Sequence, residues 1–349
     1  MKNKSTWRSF LIVLALAWVG HTLTYKFFPP IPAKEGFPFT QKWMTKFGSN
    51  IFSLSVAHDG TLLVRTAYLN AVNPSTGQVK WRILLDHEFD ADAGMEKDGV
   101  IYVTTPTSLL AIQLDTGEVI WKEHIEGGNL VIGVSEDIIL LNGYGEVFSA
   151  HDAKTGKNLW KNYIGEMMVQ TYIIGAEIFT ARNGISTISH STGEKTWGLN
   201  TGFITASAQS GNLIFFSTEE QVGCFDPKSK TLVWSENLPE YFYREYAFWN
   251  DALVVTAQHH IYALDRASGK ILWKQNIETP ANPTVVGDTI FVMEGFGREI
   301  FAFDARSGAN KGSLFSSIPQ LLYTERNDMI ASGKFLIFAR GNRLFTFSE

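Results

Sequence analysis

The residues best equipped for chemistry sit in a few short stretches of this 349-residue chain. DHEFDADAG (86–94) is acidic enough to suggest a calcium loop. Such a loop needs spaced oxygen ligands, a glycine and a Glu at the twelfth place. Counted from Glu88 that place is Gly99, and from Asp90 it is Ile101. Phe89, Ala91, Ala93 and Met95 instead alternate with Asp90 and Asp92, which predicts a first strand lining a wet channel. His259 and His260 are adjacent, so on an extended chain they point apart and make a poor joint metal site; a hairpin loop is expected. EGFGREI (294–300) contains G-x-G, but it lies between two strands and reads as a turn, not a phosphate cradle. The lone Cys224 allows no intrachain disulfide, thiolate zinc cage or haem attachment, and within an apolar strand it reads as core. No nucleophile, base and orienting acid are brought together by spacing, so the sequence predicts no catalytic residue, no metal and no cofactor.

What must position these residues is set by a repeated phrase. The chain reads TGQVKWR (76–82), TGEVIWK (116–122), TGKNLWK (155–161), TGEKTWG (192–198), SKTLVWS (229–235) and SGKILWK (268–274). Counting QKWMTKF (41–47), the tryptophans are Trp43, Trp81, Trp121, Trp160, Trp197, Trp234 and Trp273, with steps of 38, 40, 39, 37, 37 and 39. One further step reaches RSGANKG (306–312), where Gly312 stands in place of Trp. A constant period of this size signals a solenoid, propeller or array. Before each phrase lies an alternating segment such as LLAIQ (109–113), VGCFD (222–226) or IYALD (261–265). Period-two alternation predicts half-buried strands and excludes helical repeats. Four short strands per period make a propeller blade. Asn73, Asp152, Asp226, Asp265 and Asp304 precede the Gly position by four residues, the place for an Asx turn. The Trp that follows lies on the outermost strand and is expected to fill the wedge against the next blade, a structural role for all seven.

The ends of the chain fix the count. LFTFS (344–348) has no Trp phrase after it, and QKWMTKF has no strand pattern before it. Pairing them gives an all-β, eight-bladed propeller whose last blade is closed by an N-terminal strand: 50–83, 90–123, 128–162, 167–198, 203–236, 243–275, 281–314, and 319–348 with 41–46. Closure also removes open sheet edges. Residues 1–26 carry Lys2, Lys4 and Arg8 ahead of FLIVLALAWVG (10–20) and read as a signal peptide or membrane anchor. Residues 27–40 read as a Pro-rich spacer, and 41–349 as the propeller.

These phrases resemble the quinoprotein-type (PQQ-like) repeat of eight-bladed propellers, IYALDRASGKILWK (261–274) being a close match. The resemblance covers residues 41–349. That group includes quinone-cofactor dehydrogenases as well as non-enzymes, notably the propeller lipoprotein of the outer-membrane β-barrel assembly machine. The dehydrogenases typically carry insertions, a disulfide of adjacent cysteines and calcium-holding carboxylates near a catalytic Asp. One Cys cannot supply that disulfide, every blade is near minimal, and no position matches the catalytic Asp. The lipoprotein members carry a lipidated Cys, and none lies near the end of the apolar run here.

The expected function is therefore non-enzymatic. A monomer held outside the cytoplasmic membrane, by its N-terminal segment or after cleavage of a signal, presents loops to a protein partner or envelope polymer. The alternatives are a quinone-cofactor-dependent dehydrogenase and a sensor that binds a small ligand or glycan in the central funnel. A net charge of −5 and the lack of a Lys/Arg block beyond the N-terminus exclude a nucleic-acid footprint. Loops joining second to third strands, and fourth strands to the next blade, emerge on one face. The partner-binding residues expected there are Arg182, Tyr241, Tyr243, Arg244, His259, Phe296, Arg298, Arg340 and Arg343, since Arg and Tyr are favoured at interface hot spots.

Overall fold

The computed structural model describes residues 36–85, 93–126, 129–143, 147–163, 170–238, 240, 242–294, 299–315 and 327–349. The expected signal or anchor (1–26) and most of the spacer lie outside this set, as do 86–92 of the acidic stretch and the G-x-G of 295–298. Among the described residues no helix is long and apolar enough to cross a membrane.

The described strands form eight antiparallel sheets, the blades of a propeller, spanning 53–84, 95–124, 129–163, 170–203, 206–237, 242–276, 280–315, and 327–348 with 40–46. Seven sheets have four strands. The fourth has three, because Glu177–Ser189 runs on as one 13-residue strand, pairing with Gln170–Ile174 through its first half and with Lys195–Phe203 through its second. The ring closes as expected: Thr40–Lys46 pairs antiparallel with Arg343–Ser348, Thr40 opposite Ser348 and Lys46 opposite Arg343.

Each blade follows the same path from the channel outward and back, so its loops sort into two faces. The second-to-third loops and the connections to the next blade share one, called here the loop face. The first-to-second loops and the Asx-Gly turns share the other, the turn face.

The alternation in the third strands does not mark half-burial. Tyr68–Val72, Val147–Asp152 and His260–Asp265 are buried on both faces apart from their ends. Each blade is sandwiched between two others, so both sides of its sheet are covered. Asn70, Ser149 and Thr187 are therefore interior, and Asn70 donates through Nδ2 to Val64 O at 2.9 Å. True half-burial belongs to the fourth strands, such as Thr40–Lys46, which alternate between exposed and partly exposed positions.

The phrase is a joint between blades. In the turn after the third strand, Asn73 Oδ1 accepts the N–H groups of Ser75 (2.8 Å) and Thr76 (3.2 Å), and Gly77 N–H returns to Asn73 O. Gly77 needs φ of 72°, a left-handed conformation. It also needs to lack a side chain, because a Cβ there would stand 2.5 Å from the ring of Trp43 in the preceding blade. Trp43 Nε1 donates to Pro74 O at 2.9 Å in the same turn. The arrangement recurs at Trp81 with Leu114 O (2.7 Å), Trp160 with His190 O (2.8 Å), Trp234 with Arg266 O (2.8 Å) and Trp273 with Ala305 O (3.0 Å). Trp160 and Trp273 are buried, and the other five rings are half-buried. Where Lys230 replaces Gly it keeps the left-handed backbone (φ 57°), and its ammonium rests over Trp197 at 5.8 Å.

The core is divided into eight apolar clusters, each spanning two adjacent blades. Seven contain a motif Trp. The eighth, between blades 7 and 8, lacks one because Gly312 occupies the Trp position, and in blade 8 Arg343–Ser348 is joined to the outermost strand Thr40–Lys46 by pairing alone and not by an Asx-Gly turn. Residues 36–39, which the sequence assigns to the spacer, fill that wedge. A Cβ on Gly312 would stand 2.6 Å from Phe37 N and 2.7 Å from Gly36 C. Phe37 and Phe39 pack on Phe291 with ring centroids 5.8 and 4.8 Å away, and Phe39 is 2% exposed.

Two outcomes test these joints. Trp160→Ala should lower unfolding stability by about 3–5 kcal/mol in denaturant titration, as loss of a large buried aromatic does. Gly312→Trp, although it restores the repeat pattern, should destabilise by about 2 kcal/mol or more, since the space is already filled and the backbone is left-handed.

Candidate functional site

On the loop face, the best-defined group of polar side chains gathers at blade 6. Its anchor is Glu240, in the connection from blade 5. Glu240 Oε2 accepts the backbone N–H of His259 at 3.1 Å, and Oε1 accepts the Tyr262 hydroxyl at 3.0 Å. His260 Nδ1 also pairs with Oε1. The His260 and Tyr262 rings lie 5.7 Å apart. Burial pushes the Glu240 carboxyl up, but the His259 N–H, the Tyr262 hydroxyl and the His260 charge outweigh it and hold the group below its ordinary value. Burial and the same carboxylate push the Tyr262 phenol up to about 12. The cluster is thus an ionised carboxylate held by two hydrogen-bond donors and by the contact with His260, which fixes a loop and leaves His259 exposed beside it.

The nine expected interface residues fare differently. His259 is displayed at the blade 6 loop. Arg182 is half-buried, with its guanidinium 4.3 Å from the centre of the Phe203 ring in its own blade. Arg340 is buried at the end of Phe335–Arg340, in register opposite the half-buried Arg343, so neither is a freely solvated loop residue. Tyr243 and Arg244 lie on the first strand of blade 6, Phe242–Trp249, but their side chains are outside the described set, as are residues Tyr241, Phe296 and Arg298 altogether. Glu240 was not singled out from the sequence, because its two donors lie 19 and 22 positions away and leave no local signal.

Other reactive groups are committed to structure. Cys224 is buried and its thiol is pushed up to about 12 by burial, so it is no nucleophile. His151 is buried and bonded through Nδ1 to Gly156 O at 2.8 Å, and burial lowers its basicity. The Ser307 hydroxyl and N–H hold the Asp304 carboxyl down at about 2 within its turn. Along the inner strands, Tyr172 OH and Ser207 Oγ share a hydrogen bond of 2.7 Å, Ser207 donates to Gln170, and Tyr246 OH donates to Ala206 O at 3.4 Å. These hydroxyls tie blades 4, 5 and 6 together. Trp249 likewise bridges blades, donating through Nε1 to Asp288 Oδ1 at 3.1 Å. A cavity of about 440 Å³ opens against the inner strands of blades 1 to 3, lined by Ser53, Ser55, Met95, Glu96 and Val131 among others. Among the described residues no three His, Cys, Asp or Glu side chains converge as a metal site would require.

One ion pair crosses from blade 1 to blade 2 on the turn face. Glu96 accepts from His58 N at 3.0 Å and from Gly99 N at 2.7 Å, and pairs with His58 Nδ1 at 2.9 Å. The Glu96 bond and charge raise His58 above 6.5. Burial pushes Glu96 up, but its three donors hold it below 4.5. The His58 contribution is complete below about 6.5 and fades as pH rises through its folded value. The Glu96 contribution is complete above about 4.5 and fades as pH falls through its folded value. The loss in melting temperature on His58→Ala should therefore peak between about pH 4.5 and 6.5 and shrink on either side, as read by thermal scans across that range.

The comparisons with known proteins agree with this architecture. A family model described as outer membrane protein assembly factor BamB matches residues 65–180 and 181–320. The chain is 27% identical over 156 residues to outer membrane protein assembly factor BamB of Yersinia pestis, a match spanning 38% of this chain and 38% of that protein. Among solved structures it resembles BamB from Moraxella catarrhalis, with a TM-score of 0.67 and 13% identity over 89% of this chain and all of that one. It resembles the computationally designed Ika8 protein equally, with a TM-score of 0.67 and 13% identity over 87% and 98%. At 13% identity these two likenesses speak for the fold alone. The family match, covering well over half the chain and coinciding with the ring of Trp-turn joints, places this protein in the family of outer membrane protein assembly factor BamB.

Proposed function

We propose that this propeller works outside the cytoplasmic membrane as a non-catalytic scaffold, binding a protein partner through its loop face. One observation carries the reading. Among the described residues, Cys224, His151, the turn carboxylates and the Glu240–Tyr262 pair, which could do acid–base or nucleophilic chemistry, are each engaged in packing or in holding a turn or a loop. What the ring offers to solvent is loop surface on a rigid frame. Rigidity suits recognition, because little conformational freedom is lost when a partner docks. The family's name, outer membrane protein assembly factor, supports a role in assembling other proteins. The apolar run near the N-terminus supports delivery across, or attachment to, the cytoplasmic membrane.

The test is site-specific photo-cross-linking in intact cells. A photo-reactive residue at His259, on the loop face, should trap one envelope protein reproducibly. The same residue at Lys334, on the opposite face, should trap none. Cross-linking from 334 and silence at 259 would overturn the assignment of the face. Dye-linked oxidation of alcohols or sugars after incubation with quinone cofactor and calcium would overturn the non-catalytic reading.

A further inference from the structure

The wedge gaps between outer strands are not equal. The gap between blades 2 and 3 holds about 320 Å³ and that between blades 3 and 4 about 360 Å³. The corresponding groove between the closing strand of blade 8 and blade 1 holds about 750 Å³. It is open to the loop face, between the Phe47-Gly48-Ser49 connection and the Thr66-Ala67 loop. Its wall is chemically distinct as well. Lys46 and Arg82 line it, and among the described residues no carboxylate does, although the chain as a whole carries a net charge of −5. Both cations are exposed, and neither has an ion-pair partner among the described residues. The gap at blades 2 and 3 includes Glu126, and that at blades 3 and 4 includes Glu194 beside Lys195.

Arg82 is pre-placed. Its guanidinium lies 5.2 Å from the centre of the Tyr68 ring, which restrains the long side chain while leaving its donor edge free for a two-pronged carboxylate contact. Beside it Leu84 is 62% exposed and Val79 is 41% exposed, an apolar cost in water that a partner's side chains would relieve.

We propose that the blade 8–blade 1 groove is a docking site for an extended acidic segment of a partner protein, its carboxylates on Arg82 and Lys46 and its apolar side chains on Leu84 and Val79. This deepens the scaffold reading by naming the chemistry of a bound segment, and it rests on that reading. An acidic segment fits where a basic one does not, because two exposed cations with no ion-pair partner among the described residues would repel the latter. A β-branched or leucine-rich extended segment alternates its side chains, so one side can carry the acids and the other the apolar contacts.

The test uses the purified full-length chain in detergent and a fluorescein-labelled peptide of alternating Leu and Glu, followed by anisotropy. Saturable binding is expected, weakening by about tenfold or more between about 20 and about 200 mM salt, since exposed ion pairs are screened. Arg82→Glu and Leu84→Asp should each weaken it by about tenfold. Leu272→Asp, which alters another exposed leucine, on blade 6, should leave it unchanged. Thermal melts establish that each variant is folded. The proposal falls if the peptide does not saturate, if a Leu-Lys peptide binds as well, if Arg82→Glu binds normally, or if Leu272→Asp weakens binding as much as Leu84→Asp. Photo-cross-linking from position 259, run beside the peptide titration, separates the two readings. A trapped envelope protein with saturable peptide binding supports both, no cross-link beside intact peptide binding sinks only the loop-face assignment, and a trapped protein without peptide binding sinks only the groove.

Discussion

The structure depends on one contact made again and again: an indole ring from one blade laid against the glycine turn of the next. The ring fills the outer end of the wedge that two splayed sheets leave between them, and its N–H satisfies a turn carbonyl that would otherwise face apolar surface. The glycine is required twice over, by backbone conformation and by the closeness of the ring. Because each Trp reaches forward to the next blade, no blade has a complete core of its own. The clusters of buried side chains straddle blades, so the ring behaves as a closed chain of mutual supports.

The seam between blades 7 and 8 shows how the rule is kept where the ring closes. A Trp there would have no Asx-Gly turn to cap, since the third and fourth strands of blade 8 come from distant parts of the chain. Gly312 leaves room, and Gly36 to Phe39 enter it, with Phe39 and Phe37 against Phe291. The segment that leads into the closing strand thus does at this seam what the indole does at the others. Closure is secured by both a hydrogen-bonded strand and an apolar plug.

A ring built this way commits its strands to packing and leaves its loops to solvent. The strands carry packing, and the reactive side chains are absorbed in turns and joints, as at Glu240, where one carboxylate organises His259, His260 and Tyr262. The groove beside Arg82 arises at the same closing joint, where the path from blade 8 into blade 1 runs through Phe47, Gly48 and Ser49. The proposed docking groove and the closure of the fold are therefore neighbours in this molecule.

The amino-acid sequence by itself determined the period, the blade count, the Asx-Gly turns and the pairing of the two ends, because each depends on a local pattern or on simple arithmetic along the chain. It misjudged the third strands, whose Asn70, Ser149 and Thr187 look solvent-facing and are interior, since burial on both faces comes from neighbouring blades and not from the strand's own residues. It placed Phe37 and Phe39 in a spacer, because nothing local says that a gap at Gly312, more than 270 residues away, awaits them. The polar surface was legible only in part: His259 is where spacing puts it, whereas the burial of Arg340, the hold of Glu240 on blade 6 and the placing of Lys46 and Arg82 along the closing groove were decided by tertiary structure. Side-chain environment is set by which blades meet, and that meeting exists only once the ring has closed.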